Sequence, residues 1–91
     1  MVTKMDSLVK EVAEFNSEEK NVICCIEEMS ELIKVLTKKL RNDHKFSREK
    51  LVEEIGHVML MCCTVAETNG ITREEIQDSW MDAIYRMRKG V

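Results

Sequence analysis

The chain has 91 residues, which fits one domain, and a chain of this length buries only about 60–65% of its unfolded surface. We therefore expect part of its stability to come from a partner, most simply a second copy. Lys and Arg number 14 against 17 Asp and Glu, and the net charge of −3 argues against general nucleic-acid binding. A composition of 44% hydrophobic and 34% charged residues without proline excludes disordered and collagen-like chains.

Targeting signals and redox motifs are not found in the sequence. No apolar run reaches the roughly 18 residues needed to cross a bilayer, and the first residues lack the apolar segment of a signal peptide. The cysteines form two adjacent pairs, Cys24-Cys25 and Cys62-Cys63, without the CxxC spacing of a zinc or redox motif. We expect small, buried, reduced thiols in a cytoplasmic protein with no membrane partner.

The helix signals predict a single all-α domain over residues 1–91, folded as a four-helix bundle. In chain order we expect a short helix over Ser7–Phe15, a long helix from a cap at Asn16 or Ser17 to about Leu40, a third helix from the Ser47 cap to Asn69, and a last helix from Thr72 to Gly90. Gly70 is a left-handed stop, and Thr72-Arg73-Glu74-Glu75 is a capping box.

Apolar residues follow helical spacing on the second and third helices. The stripe on the second helix is Val22, Cys25, Ile26, Met29, Leu32, Ile33, Leu36 and Leu40. The stripe on the third helix is Leu51, Ile55, Val58, Cys62 and Val65, with further apolar residues around most of the cylinder. A helix that is apolar nearly all round must be covered on several sides, so we expect a homodimer or homotetramer formed through the third helix.

Charge is segregated along the chain. Seven acids and one base between Glu11 and Glu31 give −6, and seven bases and two acids between Lys34 and Lys50 give +5. This pattern is typical of an acidic metal site beside a phosphate-attracting patch. It is equally typical of a helix that has anions at its start and cations at its end, where the helix dipole favours them.

Two acidic clusters carry the chemistry: Glu27-Glu28-x-x-Glu31 on the second helix and Glu54-x-x-His57 on the third. Residues three apart lie on one side of a helix, so an antiparallel hairpin would bring the two clusters face to face. Crowded carboxylates at the edge of a core are unfavourable unless a cation such as Mg²⁺ neutralises them. The alternative is that the glutamates are solvated charges paired with lysines.

The two clusters resemble the EExxE…ExxD pattern of the MazG-like, all-α nucleoside triphosphate pyrophosphohydrolases. Glu27-Glu28-Met29-Ser30-Glu31 matches the first half, and Glu54-Ile55-Gly56-His57 stands in the place of the second, after 22 intervening residues. The segment LVEEIGHVMLM reads like the EEIGDVL helix of the family, and the resemblance extends from about Val22 to Met87.

The resemblance implies a metal-dependent enzyme that hydrolyses nucleoside or deoxynucleoside triphosphates to the monophosphate and pyrophosphate. Carried over by position, the Mg²⁺ ligands are Glu28, Glu31, Glu54 and His57, and the metal activates water to attack the α-phosphorus. Glu27 becomes the catalytic candidate that positions this water. Members of the family are dimers or tetramers.

His57 departs from the family pattern, which has Asp at this place. Imidazole carries no negative charge and suits Mn²⁺, Zn²⁺ or Fe²⁺ better than Mg²⁺. The departure therefore predicts a shift towards Mn²⁺, a weaker site, or a relative that binds without turnover, as a non-catalytic helical interaction protein. Glu54-x-x-His57 is also the ExxH element of di-metal carboxylate bundles, which a twofold dimer could complete.

Three further residues are candidates for substrate binding. Arg86 is the one residue of the last helix that matches the family's substrate-contacting positions, Lys34 belongs to the basic segment, and Trp80 could stack on a base. Each has an ordinary alternative: Arg86 is a cation near the end of a helix, Lys34 a partner for a glutamate, and Trp80 a core residue.

Overall fold

The computed structural model describes residues 3–89, and within this range it contains four α-helices and no strand. The helices are α1 (Lys4–Phe15), α2 (Glu18–Leu40), α3 (Arg48–Thr68) and α4 (Arg73–Arg88). The all-α prediction is confirmed. Over the same range, no helix combines the length and the apolar character that a membrane span requires.

Side-chain caps start the helices where the sequence predicted them, with one exception. The side chains of Ser17, Ser47 and Thr72 accept hydrogen bonds from backbone amides three residues ahead. The exception is α1, which begins at Lys4 and not at Ser7. Its start is set by a capping box in which the Asp6 amide donates to Thr3 Oγ1 (3.1 Å) and the Thr3 amide donates to Asp6 Oδ2 (3.2 Å).

The helix ends also follow local backbone chemistry. Gly70 has φ +65°, in the left-handed region that glycine adopts without strain, and it turns the chain into α4. Helix α3 ends at Thr68 with Asn69 as its cap, one residue before the predicted end. The predicted stop of α4 at Gly90 lies outside the described residues.

Helices α2 and α3 form a hairpin, with α1 packed against α3. The Asn21 side-chain amide, fully buried, donates to the Ala13 carbonyl oxygen (3.0 Å) and so ties α1 to the start of α2. Helix α4 packs extensively on none of the other three helices. Buried side chains are few within residues 3–89: Ala13, Asn21, Cys25, Val35, Glu54, Thr64 and Ala66.

The single chain is open for its size. Its radius of gyration is 15.4 Å, whereas a compact domain of this length has about 12 Å. Its accessible surface is 7586 Å², whereas a folded monomer of 10.6 kDa exposes about 5,500 Å². Most of the apolar stripe predicted on α2 is accordingly exposed; only Cys25 is buried and Leu32 half-buried.

All four cysteines are free thiols, as predicted, but they are not all buried. Cys25 is buried and Cys24 half-buried, whereas Cys62 and Cys63 are exposed, so the expectation of burial is wrong for the second pair. Partial burial and the neighbouring Cys25 thiol raise the pKa of Cys62. A smaller fraction of this thiol is therefore ionised at neutral pH than in an ordinary cysteine.

Candidate metal centre

Three ionisable side chains of the hairpin converge on one point. Glu28 of α2 and Glu54 and His57 of α3 each offer one ligand atom, and these atoms lie within 4.8 Å of one another. His57 Nδ1 is 3.1 Å from Glu28 Oε2 and 4.0 Å from Glu54 Oε2. Glu28 is half-buried and His57 is exposed, so the cluster opens to solvent at one edge of the hairpin.

Local helix geometry and hairpin packing each contribute to this convergence. Glu54 and His57 are three residues apart, which places them on one side of α3. Glu28 is 29 residues from His57 in sequence and reaches it because α2 and α3 pack side by side. The predicted face-to-face arrangement of the two acidic clusters is therefore present for these three residues.

Glu54 is the most buried residue of the cluster. Its side chain is only 4% exposed, and Oε1 pairs with the Lys50 ammonium at 3.2 Å. Oε2, which points to His57, is buried and has no hydrogen-bond partner. An unpartnered buried acceptor costs about 1–3 kcal/mol, and a bound cation would remove that cost.

Lys50 neutralises only part of this charge because it is shared. Its ammonium lies 2.7 Å from Glu53 Oε2, closer than to Glu54. Glu53 first, and then Glu54, raise the pKa of Lys50, while Lys50 lowers the pKa of Glu53. The cluster of Glu28, Glu54 and His57 thus keeps carboxylate oxygens whose negative charge Lys50 does not neutralise.

The donor set of Glu28, Glu54 and His57 could hold a metal ion. Donors bound about 2.1 Å from one ion are about 3.0 Å apart at right angles and about 4.2 Å apart when opposite. The separations of 3.1 Å and 4.0 Å from His57 Nδ1 fall within that range, whereas the three ligand atoms together span up to 4.8 Å, so the side chains would have to draw together around an ion. Two carboxylates and an imidazole suit Mn²⁺, Fe²⁺ or Zn²⁺ better than Mg²⁺.

Two predicted site residues on α2 lie outside the cluster. Glu31 is exposed, and its Oε1 pairs with the Lys34 ammonium at 3.2 Å along the surface of the same helix. Glu27, the catalytic candidate, is exposed beside Glu28. Glu31 and Lys34 therefore form a solvated ion pair with each other, whereas Glu28, Glu54 and His57 form a group that could hold a metal ion.

The two substrate-binding candidates of α4 are not brought to the cluster by contacts within one chain. Trp80 and Arg86 are both exposed, and α4 packs extensively on neither α2 nor α3. The core-packing alternative for Trp80 is wrong for the single chain, in which the indole is 64% exposed.

Lysines were predicted only as partners for solvated glutamates, and Lys50 was not singled out. The structure places its ammonium on the most buried carboxylate of the cluster, and the i, i+4 spacing of Lys50 and Glu54 is the signal for this contact.

Comparisons of the chain with protein families, curated proteins and solved structures find no match.

Proposed function

We propose that this chain is a metal-dependent nucleoside triphosphate pyrophosphohydrolase of the MazG-like type. The observation that carries the proposal is the convergence of Glu28, Glu54 and His57 around a buried carboxylate oxygen that has no partner. The EExxE element and the EEIG segment of α3 support it from the sequence. The expected products are a nucleoside or deoxynucleoside monophosphate and pyrophosphate.

The residues of the cluster have different roles in this proposal. Glu54, buried and held by Lys50, is the fixed ligand, whereas the more exposed Glu28 and His57 complete the site from the solvent side. A bound divalent cation supplies charge neutralisation on phosphoryl oxygens and lowers the pKa of a bound water. Glu27, beside Glu28 on α2, is proposed to orient the attacking water.

The metal preference follows from the imidazole. His57 in place of a carboxylate removes one negative charge from the site, so we expect Mn²⁺ to support the reaction better than Mg²⁺. Glu31 and Lys34 form an ion pair that a phosphate-bearing substrate could separate, because both side chains are exposed. In that case Glu31 would join the metal and Lys34 would meet the phosphates.

The test is a screen for pyrophosphate release over all NTPs and dNTPs with Mn²⁺ and with Mg²⁺. Glu54→Gln keeps the size of the side chain and removes the buried charge, and we expect it to lower the rate by at least about 100-fold. Glu53→Gln is the matched control, since Glu53 is the neighbouring, exposed glutamate that also pairs with Lys50. We expect its rate to stay near that of the unmodified protein.

His57→Asp restores the carboxylate of the family pattern, and we expect it to raise the Mg²⁺-supported rate relative to the Mn²⁺-supported one. If the unmodified protein binds metal and nucleotide, but neither it nor any of the three variants releases pyrophosphate, the non-catalytic alternative replaces the enzyme. If Glu54→Gln and Glu53→Gln behave alike, the cluster is not the metal site.

A further inference from the structure

The hairpin of α2 and α3 carries four thiols that the metal cluster does not include. Helix α2 bears the adjacent Cys24 and Cys25, and α3 bears the adjacent Cys62 and Cys63; all four are free. Neighbours on a helix point about 100° apart, so neither adjacent pair is placed to bridge itself. The packing of the two helices decides which thiol of α2 contacts which thiol of α3.

A contact between the two helices fixes their register. Glu28 Oε2 of α2 lies 3.1 Å from His57 Nδ1 of α3. In an antiparallel hairpin, a step back along α2 corresponds to an equal step forward along α3, so Cys25, three residues before Glu28, is level with Leu60. Cys62 is two residues beyond that level, which is about 3 Å along the helix axis. Cys25 and Cys62 therefore lie at nearly the same height in the hairpin.

Rotation around α3 separates Cys62 from its neighbour. The buried Glu54 marks the side of α3 that faces α2. Cys62, eight residues on, is rotated by about 80° from Glu54, whereas Cys63 is rotated by about 180° and points away from α2. His57 is rotated by about 60° in the opposite sense, so Cys62 and the metal cluster lie at different edges of the hairpin.

Rotation around α2 selects Cys25. Glu28 marks the side of α2 that faces α3. Cys25 is rotated from it by about 60° in the same sense as Cys62, and Cys24 by about 40° in the other sense. Because rotation in the same sense leads to the same edge of an antiparallel helix pair, Cys25 and Cys62 face each other there. The effect of the Cys25 thiol on the pKa of Cys62 agrees with this contact.

The two thiols differ in their access to solvent. Cys62 is exposed and can react with a dissolved oxidant, whereas Cys25 is only 7% exposed. A disulfide forms when an exposed thiol is oxidised first and a neighbouring thiol attacks the product. The raised pKa of Cys62 slows the first step, but it also makes Cys62 the poorer leaving group when the disulfide is reduced.

We propose that Cys25 and Cys62 are an oxidation site, at which hydrogen peroxide forms a disulfide between α2 and α3. In the first step the Cys62 sulfur bonds to one peroxide oxygen, the O–O bond breaks, and the thiol proton leaves with the other oxygen as water. In the second step the Cys25 sulfur displaces the hydroxyl group of the sulfenic acid, the S–S bond forms, and a second water leaves. The two sulfurs together lose two electrons, which reduce the peroxide.

The disulfide would stabilise a hairpin that buries few side chains of its own. It would close a loop over residues 26–61 and so restrict the unfolded chain. It would also join the two helices that carry Glu28, Glu54 and His57. We expect the oxidised protein to unfold at a temperature higher by at least about 10 °C than the reduced protein. The inference does not rest on the proposed hydrolysis.

The experiment treats the full chain with hydrogen peroxide in EDTA, without nucleotide, and then alkylates the remaining thiols. Tryptic peptides 21–34 and 51–73 contain the thiols of α2 and α3 respectively. We expect mass spectrometry of the monomeric fraction to show these two peptides joined, and a thiol reductant to separate them. Thermal unfolding of the same fraction, before and after reduction, measures the change in stability.

Each proposed cysteine has a matched control in its sequence neighbour. We expect Cys25→Ser and Cys62→Ser to lower the joined fraction by at least about 10-fold, because the remaining thiols are directed apart. Cys24→Ser and Cys63→Ser should leave it within about 2-fold of the unmodified protein. Cys62→Ser changes an exposed residue, so it tests the pairing even if Cys25→Ser does not fold.

The proposal is overturned if the peroxide-treated protein keeps four alkylated thiols. It is equally overturned if the peptides are joined only in covalent dimers, if the link survives in Cys62→Ser, or if the linked protein unfolds at the temperature of the reduced one. Because no measurement uses metal or nucleotide, failure here is distinct from failure of the proposed hydrolase.

Discussion

The hairpin of α2 and α3 and the helix α4 differ in which side chains they bury and which they leave exposed. The hairpin buries polar groups, including a carboxylate that is 4% exposed, and arranges partners for most of them within one chain. Helix α4 buries nothing and exposes an indole. The comparison teaches that one chain is sufficient to build the charged site but insufficient to cover its own apolar surface.

This division separates chemistry from assembly. The cluster of Glu28, Glu54 and His57 needs only the packing of two neighbouring helices, so it exists in every copy of the chain. Helix α4 has no buried residue and packs extensively on none of the other three helices. Changes at the cluster and changes on α4 should therefore act on different measurements.

The largest effect should come from the cation itself. Mn²⁺ at about 100 times its Kd should raise the free energy of unfolding by about 2.7 kcal/mol, because the ion binds the folded cluster and not the unfolded chain. Urea unfolding at several Mn²⁺ concentrations measures this. Glu54→Gln should abolish the increase, and a variant that keeps it would show that the ion binds elsewhere.

Without metal, the buried Glu54 should lower the free energy of unfolding. Glu54→Met removes an acceptor that has no partner and should raise the free energy of unfolding in EDTA by about 1–2 kcal/mol, while Lys50 keeps its contact with Glu53. Urea unfolding compares it with Glu53→Met, which should give no gain. A loss of stability in Glu54→Met would contradict our description of the cluster.

Removal of the caps of α2 and α4, one at a time, should show that the hairpin and α4 unfold independently. Ser17→Ala removes the side chain that caps α2 and should lower the free energy of global unfolding by about 1 kcal/mol. Thr72→Ala removes the cap of α4 and should instead speed amide exchange in α4 with little change in the unfolding of the hairpin. Hydrogen exchange resolves the two regions, and equal effects of both variants would refute their independence.

The smallest expected effect is that of low pH on the first turn of α4. The backbone amide and hydroxyl of Thr72 hold the pKa of Glu75 below its ordinary value of 4.5. A lowered pKa stabilises the folded state above the unfolded pKa, and this contribution is lost as the pH falls through the folded pKa. The first turn of α4 should therefore fray as the pH falls below about 4.5, whereas Glu75→Gln should remove this dependence. Amide chemical shifts of Thr72 and Glu75 follow the titration.

Features that depend on neighbours in sequence were predictable. The caps at Ser17, Ser47 and Thr72 and the left-handed Gly70 follow from local hydrogen bonds and backbone sterics. The start of α1 was missed by one turn because Thr3 and Asp6 were not recognised as a capping box.

The composition of the cluster could be only partly predicted. Glu54 and His57 share a side of α3 by their spacing alone, but Glu28 and Glu31 are equally good candidates on α2. Packing of the hairpin brings Glu28 to His57, and the nearer Lys34 holds Glu31 on the surface. Such competition between partners depends on distances across two helices, which spacing along one helix does not contain.

The amino-acid order by itself determined that this protein is helical, where three of its helices start, and which two short segments hold the acidic groups, since backbone hydrogen bonds and 3.6-residue periodicity are local. Only the tertiary structure decided which carboxylate is buried, which one meets the imidazole, and that α4 is left without cover. Those outcomes depend on how helices distant in sequence share a limited apolar area, and a chain of this size has too little of it to enclose all four.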